Sequence, residues 1–323
     1  MKSSRVVLAV LAFVAAGACA QEKPADYPKR PIRVVVGIAP AGGLDLMTRL
    51  GAQKLTERWG QPVIVDNRPG GGTVIAMDVV FQAVPDGYTL LAASETLMLN
   101  GVFQRAKYDV RKAFVPIVQL TTQPYALLVH PSVPAKSLKE LIALAKSKPR
   151  ALNYGSQGQG TVGHIGMERL KLMAGVDVTH VPYKGAAPAF LDLLAGNIQM
   201  VFSILATSAP HMKSGKVRAL AYSGPRRSPL YADLPTVSEA GVPGFELRNT
   251  YGYFAPAGTP RAIIRAINAV VSQGMNSPET SKALAMDGNE VVAPMTPEEL
   301  KAKLDREYAE TEKLIRTLGL TVN

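Results

Sequence analysis

The apolar positions of this chain change period several times, and the changes come in a repeated order. Residues 31–37 hold the β-branched run Val34-Val35-Val36, which suits a buried strand. Residues 44–59 switch to near-helical spacing, with Leu46, Leu50, Leu55 and Trp59 in phase, until Gly60 stops the run. Residues 62–65 predict a second strand, closed by Asn67-Arg68-Pro69-Gly70-Gly71-Gly72, and residues 74–83 a second helix. Pro85-Asp86-Gly87 is a turn, and residues 88–92 are a third strand with Ser94-Glu95-Thr96 just past its end. This βαβαβ order predicts a parallel sheet with right-handed crossovers. Ligands of such sheets sit outside the carboxyl ends of the strands, where the loops 40–45, 67–73 and 94–96 converge.

The second half repeats the scheme. Residues 114–120 are apolar, and residues 125–129 form a strand ended by His130-Pro131. Residues 137–147 predict a helix, with Ser137 as N-cap and Glu140 completing a capping box. Residues 152–154 are a short strand, followed by the glycine- and hydroxyl-rich loop 155–164 and a helix over 165–174. A strand at 179–182 leads through Tyr183-Lys184-Gly185 to a helix at 186–195, then strands at 198–203 and 216–222. Residues 241–260 read as loop, with an aromatic patch at Tyr251, Tyr253 and Phe254. A helix to residue 275 starts with Thr259 as N-cap and Pro260 in its first position. Thr296-Pro297-Glu298-Glu299 opens the last helix, which runs to residue 318 and carries enough charge to lie on the outside.

The stretch VVVGIAPAGGLDLMTR, residues 34–49, ends a strand in a glycine turn and starts a helix, leaving backbone N–H groups free to attract an anion. It is neither a Walker A loop nor G-x-G-x-x-G. Asp45 fits two roles, holding a ligand amine or water, or complementing the helix dipole. Residues 155–160 are not the G-x-S-x-G elbow, so Ser156 reads as a hydroxyl donor to a ligand rather than a nucleophile. Lys184 either attracts a carboxylate or is an exposed turn lysine. His130, His164, His180 and His211 have no metal-ligand spacing, and no carboxylate pair stands out, so no metal, cofactor or catalytic residue is expected.

Composition adds the compartment. The 323 residues are long enough for two domains. Lys2 and Arg5, an apolar run over 6–16 and Ala18-Cys19-Ala20 make residues 1–20 a secretory signal peptide and point to the periplasm. Cys19 is the only cysteine, so cleavage after Ala20 leaves no disulfide. Lipidation of Cys19 is the rival reading, but Ala16 stands where a lipoprotein signal usually has leucine. The net charge of +11 allows nucleic acid, an anionic membrane or acidic small molecules as partners. No Lys/Arg run is interleaved with aromatics, which argues against nucleic acid.

With these residues in order, the chain resembles the Bug (TctC-like) family of periplasmic solute-binding proteins, the receptors of tripartite tricarboxylate transporters. The resemblance rests on PIRVVVGIAPAGGLDLMTR, GQPVIVDNRPGGG, PDGYTLLAA, NYGSQGQGTVGH, VPYKGAAPAFLDLLAGNI, SGKVRALAYSG, LPTVSEAGVPGFE and YGYFAPAGTP, in shared order from Pro31 to near the end. It implies an α/β, two-domain Venus-flytrap fold of type II character. Each lobe is then a doubly wound, mainly parallel sheet, and two crossing strands form the hinge. The domains are then 26–122 plus 249–323, and 123–248. It further implies a monomeric, non-enzymatic receptor that closes on a small carboxylate and hands it to membrane transporter subunits or reports it to a sensor kinase. Site residues are Ala41, Gly42, Gly43 and Asp45 in the first loop, Ser94 and Thr96 in the third-strand loop, and Ser156, Gly160, Thr161 and His164 in the second lobe. Lys184 joins them. Gly37-Ile38-Ala39 replaces the more usual proline–phenylalanine–proline, Leu44 stands where a small residue is common, and Glu95 adds a carboxylate. Together these departures admit a larger or partly cationic ligand. An exported hydrolase or transferase on the same lobes, using Ser156, is the competing reading.

Overall fold

The computed structural model describes residues 26–286 and 288–320. The leader at 1–20, with Cys19 and its two readings, lies outside the described residues. The first elements are β1 (Ile32–Val36), α1 (Gly43–Trp59), β2 (Val63–Asn67), α2 (Val74–Phe81), β3 (Thr89–Ala93), α3 (Thr96–Val102), α4 (Val110–Ala113) and β4 (Phe114–Val129). Then come α5 (Leu138–Ser147), β5 (Asn153–Ser156), α6 (Val162–Ala174), β6 (Thr179–Pro182), α7 (Ala186–Ala195), β7 (Met200–Ile204), α8 (Leu205–Lys213) and β8 (Arg218–Tyr222). The chain returns through β9 (Arg248–Pro256), α9 (Arg261–Met275), α10 (Pro278–Met286), β10 (Glu290–Val291) and α11 (Pro297–Thr317).

Two mixed sheets result. In the first, β1 pairs in parallel with β2 and β3, and β9, β4 and β10 extend the β3 edge antiparallel. In the second, β5 lies parallel between β6 and β7, and β7 and β8 flank the end of β4 antiparallel. The strand β4 therefore belongs to both. Its residues up to Pro124 pair with β9, and from Tyr125 onward they pair with β7 and β8. The sequence split this strand in two because Thr121-Thr122-Gln123-Pro124 interrupts the apolar run. All four remain extended because β9 pairs with them across the crossing. Ser223 ties both crossing strands, accepting from the Tyr125 N–H at 2.7 Å and donating to the Leu247 carbonyl.

The stretch read as loop over 241–260 contains the second crossing strand, β9. Tyr251, Tyr253 and Ala255 face one core cluster and Phe254 the opposite one, which is strand alternation that the flanking glycines and prolines disguised. Other boundaries shift for local reasons. The cap of α9 is Pro260, because the Thr259 hydroxyl donates back to the Pro256 carbonyl at 2.8 Å. Ser137 caps α5, but Glu140 reaches the Lys136 N–H, one residue before the cap. Leu46 is half exposed, because the buried stripe of α1 runs instead through Leu44, Met47, Gly51 and Leu55. The helices α3, α4, α8 and α10 were not read from the sequence.

Each lobe has its own core, around Val34, Leu90, Ile117 and Tyr253 in the first and Leu127, Tyr154, Met200 and Phe245 in the second. A separate, smaller cluster joins Leu99 of α3, Ile165 of α6 and Ile315 of α11 across the lobes. The helix α11 thus does more than cover the outside. Thr296 caps it as expected and forms a full capping box with Glu299, and the helix buries Leu300, Tyr308 and Ile315.

Candidate functional site

In the first lobe the chain leaves β1, turns at Ala41 with φ of 67°, and enters α1 with Gly42 as N-cap. Glycine has no side chain to cap the first turn, so its amides stay available. Asp45 is fully buried and belongs to the loop's own frame. It accepts from the Ala41 N–H at 2.9 Å, from Arg49 at 2.9 and 3.0 Å, and from Asn67 Nδ2 at 2.8 Å. Burial alone would raise its pKa, but these hydrogen bonds outweigh it and hold the carboxyl below the usual carboxylate range. Ala41 and Gly43 are exposed.

The crossing strands meet this turn. A Cβ built on Gly43 would lie 2.7 Å from the Tyr251 hydroxyl. That hydroxyl donates to Gln123 Oε1 at 3.2 Å and accepts from Asn249 Nδ2 at 3.0 Å, while Asn249 Oδ1 is buried without a partner. Gln123, Asn249 and Tyr251 were missed from the sequence. The polar side chains at 249 and 251, two apart on a strand, were the available signal.

In the second lobe β5 ends at Ser156, and a knot of hydrogen bonds precedes α6. Ser156 Oγ accepts from the Gly158 N–H at 3.2 Å and lies 2.7 Å from His180 Nε2. Thr161, the N-cap of α6, spends its hydroxyl on the Gly158 carbonyl at 2.7 Å and leaves the first helical amides uncapped. Gly158 and Gly160, at φ of 130° and 72°, allow this turn. His164 is buried, and its Nδ1 accepts from the Gly160 N–H at 3.0 Å. Its ring stacks on His180 at 4.1 Å, and the other face of His180 stacks on Tyr154 at 4.7 Å. Burial, then the neighbouring His164, pushes His180 down to about 4. His180 sits on another strand, and its partnership with Ser156 was not legible from spacing.

The remaining expected residues are placed as follows. Ser94 Oγ and Thr96 Oγ1 lie 3.0 Å apart at the start of α3. Lys184 is exposed in the turn between β6 and α7. Asn100 of α3 donates to the Gly72 carbonyl at 2.8 Å, and Arg105 links the Asn100 carbonyl-type oxygen Oδ1 to the Gln159 carbonyl, each at 3.4 Å. The loop 67–73 of one lobe is thereby tied to the loop 155–164 of the other.

A cavity of about 240 Å³ lies between the lobes, walled by Glu95, Arg169, Glu246, Arg248, Thr250 and Glu307 among others. Glu95, the carboxylate that the sequence added near the cleft, lines it, but none of the ligand-binding residues expected from the sequence does. Arg248 pairs with Glu246 at 2.6 Å, and Arg169 donates to the Glu246 carbonyl at 3.2 Å. Burial, reinforced by Glu307, pushes the Glu95 carboxyl up to about 7. Among the described residues, no three His, Cys, Asp or Glu side chains are grouped to hold a metal ion. No described helix is long and apolar enough to cross a membrane.

Two α/β lobes, two strands crossing between them and a glycine-turned helix N-terminus in each define a two-lobed solute-binding protein. The sequence pattern of the "Tripartite tricarboxylate transporter family receptor" (TctC) matches residues 47–320, and the chain belongs to that family of periplasmic solute-binding receptors. It is 34% identical over 322 residues to the "UPF0065 protein in tcbD-tcbE intergenic region" of Pseudomonas sp. (strain P51), covering 99% of this chain and 96% of that one. The solved structure "R. palustris Rpa4515 with adipate" superposes with a TM-score of 0.80 at 34% identity, covering 92% of this chain and 99% of that one. "MatC (Rpa3494) from Rhodopseudomonas palustris with bound malate" gives 0.75 at 31%, covering 90% and 100%.

Proposed function

We propose that this protein captures a small carboxylate between its lobes and delivers it to the membrane subunits of a tripartite transporter. The observation that carries the reading is a matched pair of helix N-termini. The helices α1 and α6 follow β1 and β5 at equivalent points of the two lobes, and neither N-cap side chain takes up a first-turn amide. Neutral N–H donors from both lobes suit a carboxylate without leaving a buried cation unpaired when the cleft is empty. The adipate and malate in the two related structures support that ligand class. Backbone N–H groups at Gly42 and Gly43, and those of the first turn of α6 that follow the N-cap Thr161, supply the donors in this reading. Asp45 and His164 hold the loops. Ser94, Thr96, Ser156, Gly160 and Lys184 complete the surroundings. The lobes divide at residues 122/123 and 248/249, next to the point where β4 changes partners. The chain acts as a periplasmic monomer after loss of residues 1–20, without catalysis or cofactor, and a sensor kinase is the alternative partner.

A thermal-shift and calorimetric screen of residues 21–323 against adipate, malate and other mono-, di- and tricarboxylates tests this. Preferential binding to the folded state raises the melting temperature. No shift with any acid refutes the ligand class. One observation favours the enzymatic alternative, the 2.7 Å approach of Ser156 Oγ to His180 Nε2. Against it, Ser156 is buried and already bonded within its turn. Turnover of an ester or amide that Ser156→Ala abolishes would establish that reading instead.

A further inference from the structure

The two ligand loops are closed by the same device with different chemistry. In α1 the third helical residue, Asp45, reaches back past the N-cap to the Ala41 N–H. In α6 the third helical residue, His164, reaches back past the N-cap to the Gly160 N–H. Each side chain satisfies the amide just outside the helix and leaves the amides of the first turn for a ligand. The acceptor is a carboxylate in one lobe and an imidazole in the other. A carboxylate locked by Arg49 and Asn67 keeps accepting throughout the neutral and mildly acidic range. An imidazole accepts at Nδ1 only while that nitrogen carries no proton.

We propose that His164 and His180 are positioning residues that make the second-lobe ligand loop a proton-gated element, closed while both imidazoles are neutral and opened by one proton on the stack. The inference rests on reading loop 155–164 as part of the ligand seat. The geometry holds both ends of that loop on the stack. His180 meets Ser156 at the start, His164 holds Gly160 near the end, and the rings lie face to face at 4.1 Å. A proton on His164 Nδ1 points two N–H donors at one another and releases Gly160. A proton on His180 puts a cation against a buried ring pair.

The charged and titratable groups around the stack leave it little to stabilise that cation. From β5, Tyr154 stacks on His180 and its hydroxyl donates a hydrogen bond to Glu168 at 2.5 Å. From α6, Glu168 also takes Lys171 at 2.9 Å, so its charge is already committed, and Lys171 adds a positive field of its own. From β6 comes His180 itself, and His164 completes the set. Both imidazoles are held below the usual histidine range, by burial first.

Carboxylate ligands titrate in the same range, so the test observes the protein alone. In ¹⁵N-labelled residues 21–323, imidazole nitrogen shifts at pH 7.5 are expected to show His164 with Nδ1 bare and Nε2 protonated. On acidification below pH 6, hydrogen-exchange protection of the Gly158 and Gly160 amides should fall in step with imidazole protonation, while Leu127 and Val201 in the sheet stay protected. At pH 7.5, His164→Phe keeps a stacked ring without an acceptor and should lower Gly160 protection at least tenfold. His164→Gln, whose amide oxygen can accept, should recover part of it. Imidazoles that titrate with no change at Gly158 and Gly160 overturn the proposal. So does loss of loop protection only together with global unfolding, or unchanged Gly160 protection in His164→Phe. Failure of every carboxylate to bind would refute the proposed function and leave this ligand-free result standing on its own.

Discussion

Replacing Glu95 by glutamine tests the electrostatics of the interlobe cavity directly. Glu95 lines that cavity beside Glu307 and Thr250, with Lys303 and Arg248 as weaker compensating charges. Burial and the neighbouring carboxylate raise its pKa from 4.5 to about 7. A raised acid binds its proton more tightly in the folded state, so its contribution to stability is fully present below pH 4.5 and is lost as pH rises through 7. At about 1.4 kcal/mol per pH unit, that displacement corresponds to at most ~3.5 kcal/mol, and to roughly 1–3 kcal/mol once partial solvent access is allowed for. Glutamine keeps the shape and a hydrogen-bonding amide but has no charge to desolvate. Glu95→Gln should therefore match the wild type in urea unfolding at pH 4.5 and exceed it by ~1–3 kcal/mol at pH 8.5. The imidazoles of the second lobe titrate in both proteins and cancel in the difference. A variant that gains nothing between pH 4.5 and 8.5 would refute the argument, as would a wild-type pH dependence that survives in Glu307→Gln undiminished.

Other expectations follow from single contacts. Gly43→Val brings a branched Cβ to within 2.7 Å of the Tyr251 hydroxyl and covers the α1 amides, so calorimetric affinity for a carboxylate that the screen identifies should fall at least tenfold with the fold retained. Tyr253→Phe removes the buried hydroxyl that bonds the Thr48 carbonyl and should cost about 1–3 kcal/mol in chemical denaturation. Leu99→Ala opens the cluster shared with Ile165 and Ile315, with an expected loss of about 2–5 kcal/mol, and small-angle scattering should report a larger radius of gyration as the lobes lose their apolar contact.

The strand–glycine–helix order of each lobe was legible because it is local. Val34-Val35-Val36, the turn at Gly42-Gly43 and the periodic residues after it declare themselves within one window, and so does the start of α11 at Thr296. The same locality marked the loops 40–45 and 155–164 as the proposed anion seats, since free amides follow from a helix beginning, whatever surrounds it. What lies between the lobes depends on partners far apart in the chain. Whether Thr121-Thr122-Gln123-Pro124 breaks a strand or continues it was decided by β9, which supplies the antiparallel partner from residue 248 onward. Tyr251 looked like part of a loose aromatic patch until that pairing laid it over the N-terminus of α1. Asp45 kept two roles open in the sequence, and only the convergence of Ala41, Arg49 and Asn67 committed its oxygens. His180 carried no motif, because its partners Ser156 and His164 come from a neighbouring strand and helix. Local periodicity and glycine placement determine the elements. Hydrogen bonds and ring contacts closed over long sequence separations decide which polar groups are spent within the chain and which are left for a ligand.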